Sequence, residues 1–151
     1  MIQRIQSLYL FLSALVGIIC LSQPLGTFFT AQHERHAELF NLWVRFPETG
    51  QHVFSPWALF ALLLIVTTLT FLDIFLFTRR ALQMRVATLC MVLLVGYYAY
   101  LVAFAYMFKG DGSFTPSVWA ALPFVSIVLD YLAFRGILRD EMLVKSLDRL
   151  R

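Results

Sequence analysis

The sequence predicts an all-α integral membrane protein: a four-helix bundle with a small external β-hairpin loop and a C-terminal amphipathic cytoplasmic helix. Three observations predict it. Of the 151 residues, 60% are apolar and 14% charged, with a mean hydropathy of +0.77; soluble domains hold about 45–50% apolar and about 25% charged residues. Four apolar runs are long enough, or nearly so, to cross a hydrocarbon core about 30 Å thick, which takes about 20 helical residues. Basic residues gather in segments that share one side of the bilayer once the chain crosses four times. The net charge of +3 forms no soluble basic face, so anionic lipid headgroups rather than nucleic acid are the expected counterpart.

The elements follow in order along a single membrane domain, residues 1–151. Only helices or closed barrels satisfy their backbone in lipid, so each run is read as a helix. The first span covers residues 5–29. Arg4 and "LYLFLSALVGIICL" resemble the front of a signal peptide, but no small-x-small cleavage site follows. Past Pro24 the run continues as "LGTFF", so an uncleaved helix is expected. The external loop, residues 30–56, contains "LWVRF", "PETG" and "QHVF", which reads as strand, turn and strand. Leu42, Val44 and Phe46 would share one face, with Trp43 and Arg45 on the other. A lone hairpin is marginal in water, so it should rest on the bundle, the lipid or a partner.

The second span is residues 57–77, and "TRRALQMR", residues 78–85, is a short cytoplasmic link to the third, residues 86–108. "KGDGSFTP" leads to the fourth span, residues 117–134, and a tail at 135–151. Short links force neighbouring helices to be antiparallel and adjacent. "FSPW" before span two and "FTPSVW" before span four predict hydroxyl caps at Ser55 and Thr115 with Pro in the first turn. The same echo is compatible with a duplicated helical hairpin.

Orientation comes from the basic residues. With both termini on one side, Arg4, Arg79, Arg80, Arg85, Arg135, Arg139, Lys145, Arg149 and Arg151 lie together, and only Arg35, Arg45 and Lys109 lie opposite. The positive-inside rule then makes both ends cytoplasmic, in a bacterial inner membrane, and leaves Trp57 and Trp119 at external helix starts. The fourth helix is expected to run on into the tail, where Leu143, Leu147 and Leu150 recur at helical spacing and Glu141 faces Lys145. Arg139, Leu143, Lys145, Leu147 and Leu150 form the expected contact with lipid headgroups or with a docking partner.

The opening "MIQRIQSLYL" and the close "LRDEMLVKSLDRLR" resemble the bacterial membrane family catalogued as domain of unknown function 4293, found in Bacteroidota. The resemblance implies a four-span inner-membrane protein of unsettled role, and it carries over no catalytic residues.

The most informative polar residues are Asp73 and Asp130. Each lies about 8 Å inside a cytoplasmic helix end by helical rise. Thr70 precedes Asp73 by three residues and Ser126 precedes Asp130 by four, so each acid has a hydroxyl on its face. Carboxylates within a membrane are costly and turn inward to find partners. Two readings stand: a structural one, in which the acids bond hydroxyls or reach Arg79, Arg80, Arg85 or Arg135, and a functional one, in which two desolvated carboxyls form a proton or cation site.

Other candidates are weaker. His33 and His36 in "HERH", with His52, lack the spacing of a zinc protease and read as loop residues. Cys20 and Cys90 differ in depth by about 15 Å, beyond the ~7 Å that a disulfide spans between alpha carbons. Ser13 and Gly17, and Gly96, Ala99 and Ala103, are small residues suited to close helix approach. The "GYYAY" cluster places Tyr97 and Tyr100 on one helix face and Tyr98 on another. No phosphate loop, activated nucleophile or metal set is apparent, so no cofactor and no enzymatic activity are expected. The sequence reads as a small accessory or assembly subunit of a membrane complex, in contact with lipids and with other membrane proteins or itself. The alternative is a small transporter or proton-coupled carrier using Asp73 and Asp130.

Overall fold

The computed structural model describes residues 3–32 and 34–148. Among the described residues, four helices are long and apolar enough to cross a membrane. Helix α1 is Gln3–Ser22, and α2 is Trp57–Asp73, tightening into a 3-10 turn over Ile74–Thr78. Helix α3 is Arg80–Phe108; α4 is Leu122–Asp148, entered through a 3-10 turn at Val118–Ala121. They pack in a closed ring, α1 on α2, α2 on α3, α3 on α4 and α4 on α1.

Each helix buries a stripe spaced in steps of three and four residues. On α3 it runs Gln83, Ala87, Cys90, Leu94, Tyr97, Leu101 and Ala105, and on α2 Leu59, Leu63, Val66, Thr70 and Asp73. That spacing keeps one narrow seam facing the bundle axis, as in coiled-coil packing. Small residues close the seam. A methyl group on Gly17 would collide with the Thr67 side chain, 2.4 Å from its Oγ1, which shows how closely α1 lies against α2.

A five-stranded antiparallel sheet caps the end where α1 passes to α2 and α3 to α4. Its strands are β1 Gly26–Phe29, β2 Arg35–Leu39, β3 Val44–Arg45, β4 His52–Val53 and β5 Ser113–Pro116. Their order is β4-β3-β2-β1-β5. The expected hairpin exists as β3 and β4, with Val44 opposite Val53 and Arg45 opposite His52, and Gly50 turns the chain at φ 67°. It is the outer part of a larger sheet, which gives it the support that a lone hairpin lacks. Leu25, Phe28, Ala37, Leu39 and Val44 are buried in one cluster with Leu59, Leu63, Leu101 and Ala105 of the helices.

The structure corrects the expected boundaries in four places. The first span does not reach residue 29: α1 stops at Ser22, and residues 26–29 are β1. Pro24 disfavours helix in the residue before it and cannot donate to the preceding turn. Beyond it, Gly26 lies so close to β5 that a Cβ would sit 2.4 Å from the Phe114 ring and 2.8 Å from the Thr115 carbonyl oxygen. The link at 78–85 is mostly helix, because Arg80 already begins α3 and "RALQMR" is built of good helix formers. The fourth span opens as a 3-10 turn at Val118–Ala121 and is α-helical only from Leu122, and from there α4 runs on into the tail, as expected, to Asp148.

The fourth correction concerns caps. Ser55 and Thr115 cap nothing. The first turn before α2 closes on the Pro56 carbonyl, which accepts from the Leu59 N–H at 2.8 Å, and Thr115 lies within β5 opposite Thr27. The start of α4 is held from another helix: the Tyr98 hydroxyl of α3 accepts the Phe124 N–H at 2.9 Å and donates to the Ala120 carbonyl at 2.7 Å. Those are groups that a helix start leaves open.

Candidate functional site

Three polar islands lie along the seam. Nearest the sheet, Asn41 is fully buried in the loop between β2 and β3. Its Nδ2 donates to the Cys20 carbonyl at 2.7 Å, and its Oδ1 accepts from the Tyr97 hydroxyl at 2.7 Å. At the opposite end, Gln6 Nε2 donates to Asp140 Oδ2 at 2.7 Å, and Arg80 Nη1 donates to the Asp140 carbonyl at 3.3 Å. Between them lies the third island, and it is the one without bonds.

Asp73 of α2 and Asp130 of α4 are both 0% exposed, and among the described residues none of their four carboxyl oxygens has a partner at hydrogen-bond geometry, the Ser13 hydroxyl being the one that comes near Asp130. The two acids stand close enough to repel one another, and both act on the buried Cys90 thiol of α3. Helix α1 completes the ring: Ser13 faces Asp130. Its hydroxyl and that of Ser126 reach across to each other's backbone carbonyls at 3.5 and 3.4 Å, long contacts that mark the close approach of α1 and α4. Thr70 joins the same island. Thr67, Thr68 and Thr88 each return their hydroxyl to the carbonyl four residues earlier, at 2.7 to 2.8 Å. Thr70 does not; its buried oxygen has no bond and faces Cys90.

The local fold explains the placement. Thr70 and Asp73 are successive seam positions on α2, as Ser126 and Asp130 are on α4, so the same steps of three and four that bury Leu63 and Ile137 bury the acids. One flank of the island is covered by Gln83, whose Nε2 donates to the Asp73 backbone carbonyl at 3.1 Å. On the other, Leu94 and Val66 separate it from Tyr97 and Asn41. Among the described residues no arginine reaches either carboxyl, since the ion pairs are Arg35 and Arg45 with Glu38 on the sheet. The expected bonds from Asp73 and Asp130 to Arg79, Arg80, Arg85 or Arg135 are therefore not formed.

The arrangement is suited to holding a proton. Two buried carboxyls without a cation in reach cannot both be charged at low cost, and a proton taken up by one of them removes the repulsion. Among the described residues no group of three or more His, Cys, Asp or Glu is placed to hold a metal ion. His36 packs edge-on against Phe46 and His52 against Trp43, both on the sheet. His33 lies outside the described residues. Cys20 and Cys90 are free and buried in separate islands.

Two of the expected tail contact residues fall on the outer side of α4. Arg139 and Leu143 are exposed, whereas Asp140 between them turns inward. Leu150 and the side chains of Lys145 and Leu147 lie outside the described residues. Of the small residues, Ser13 and Gly17 are buried, while Gly96, Ala99 and Ala103 face outward.

Several members of the islands were not singled out from the sequence: Gln6, Asn41, Gln83 and Asp140. A signal for two of them exists. Gln6, Ser13 and Cys20 recur every seven residues, and so do Gln83, Cys90 and Tyr97. In helices apolar all round, it is the polar residues that carry the heptad.

No curated protein and no solved structure matches the chain. The family described as Domain of unknown function (DUF4293) matches it over residues 2–150, nearly end to end, and the chain belongs to that family.

Proposed function

We propose that the protein is a small non-enzymatic membrane protein of the bacterial inner membrane, with both termini in the cytoplasm, that works as a proton-coupled carrier. Its proton site is the Asp73–Asp130 pair. One observation carries this reading: four carboxyl oxygens with no partner, in the interior of a bundle whose other buried side-chain amides and hydroxyls are mostly bonded. Intramembrane acids are expensive, and a pair left open has the form of a site that takes up and gives back a charge. Gln83, Gln6 and Asp140 close it on the side of the termini and an apolar layer closes it on the sheet side, as in an occluded conformation. The orientation is supported by the nine basic residues on the terminal side against three on the other.

Reconstitution into vesicles with an internal pH dye tests it. Proton flux is expected in the parent chain and a loss of at least tenfold in Asp73→Asn and in Asp130→Asn; undiminished flux in both variants ends the proposal. A second reading, an accessory or assembly subunit of a larger membrane complex, is favoured by the outward stripe of Gly96, Ala99 and Ala103 and by the β4 edge of the sheet. Gentle extraction followed by mass spectrometry of what copurifies separates the two. A stoichiometric foreign subunit supports the second reading, and a chain found only with itself removes it.

A further inference from the structure

We propose that the outward groove between α3 and α4 holds one acyl chain of an anionic phospholipid from the leaflet on the sheet side, with the lipid phosphate at Lys109. This site is separate from the acid pair and does not depend on it. The groove has a volume of about 850 Å3, within the ~300–1,000 Å3 typical of small-molecule sites. Its depth comes from small residues: Ala105 and Ala120 are nearly buried at its floor, while Leu101, Val102 and Phe124 form its walls. The lips are exposed, with Val102 at 66% and Phe124 at 60%, on the surface that hydrocarbon would cover.

Three features select the occupant. The first is length: from Tyr98 at the inner limit to Lys109 at the rim, the groove follows about 16 Å of helix, half of a hydrocarbon core about 30 Å thick. The groove thus has the depth of one leaflet. The second is chemistry by depth, because the lining is mainly apolar along that length, the Tyr98 hydroxyl at the inner limit being already bonded to Ala120 and Phe124, and gathers open polar groups at the rim, where Lys109, Ser113 and Ser117 lie. The third is charge. Lys109 Nζ stands 4.7 Å from the centroid of the Tyr106 ring, and among the described residues no carboxylate pairs with it. A cation held over an aromatic ring at the end of an apolar slot complements a phosphate whose acyl chain fills the slot.

The test uses the full chain, delipidated in mild detergent and titrated with phosphatidylglycerol or with phosphatidylcholine of the same acyl chains, and bound lipid is counted by intact-complex mass spectrometry. One phosphatidylglycerol per chain is expected, preferred about fivefold over phosphatidylcholine, the factor that ~1 kcal/mol for one cation near an anionic surface represents. Lys109→Gln should abolish the preference and keep the binding. Ala121→Trp, which fills the groove from an exposed position, should abolish the binding, and Val102→Trp at the lip provides the same block on the other helix. Equal binding of both lipids by the parent chain overturns the proposal. So does full lipid retention in both tryptophan variants. A lipid-free parent dimer that Ala121→Trp dissociates also overturns it, since a second copy then fills the groove.

Discussion

The sheet-side island and the central island are both buried and polar, yet they are finished to different degrees. Around Asn41 every bond is made: amide to carbonyl, hydroxyl to amide, both at 2.7 Å. Around Asp73 and Asp130 none is. Burying a polar group costs several kcal/mol unless it is bonded, so the first island stabilises the fold and the second weakens it. The proposed proton site is the network left open.

Substitutions can break or sharpen that contrast. The largest effect is expected from Asn41→Leu, which strips the Tyr97 hydroxyl and the Cys20 carbonyl of a partner at once. A loss of about 3 kcal/mol follows, each buried group left unpaired costing ~1–3 kcal/mol, and thermal melting in detergent measures it. Asp130→Leu should move the other way, with stability unchanged or raised by up to about 2 kcal/mol, since replacing buried charged groups by apolar ones is often neutral or stabilising. A drop larger than the one at Asn41 would make the acids packing elements and erase the contrast. Tyr98→Phe removes two bonds at the start of α4 and should cost about 1 kcal/mol, with faster hydrogen exchange confined to residues 118–124. Gln6→Ala removes one bond from a buried pair at the terminal end of the seam and should cost about 1 kcal/mol, read as a small downward shift of the melting curve.

How much of this was legible in the sequence differs by element. The four helices were, because runs as apolar as "ALFALLLIVTTLTFL" have no other stable form in lipid. The two acids were also legible, because Asp73 and Asp130 are conspicuous in such runs and lie six and five residues before flanking arginines. The sheet was only partly so. "GTFF" continues an apolar run, "RHAEL" consists largely of residues without strand preference, and "SFTP" is too short to alternate, so their strand character comes from pairing with distant segments. Asn41 was invisible for a related reason. Nothing in a loop sequence announces that one amide will fold inward between two helices. Tyr98 as the cap of α4 shows the same limit, a local need met by a residue from another helix.

The sheet also has a consequence for biosynthesis. Its inner strand β1 is made early, yet one of its two neighbours, β5, belongs to the second helical pair, with Gly26 opposite Pro116. Until that later segment crosses the bilayer, the nascent polypeptide presents an unsatisfied backbone edge beside Phe28, a form prone to pairing with any strand at hand. Ribosome-bound intermediates arrested before residue 113 should therefore be the stage most vulnerable to proteolysis or to capture by a chaperone. Release from that vulnerability should coincide with emergence of the last loop.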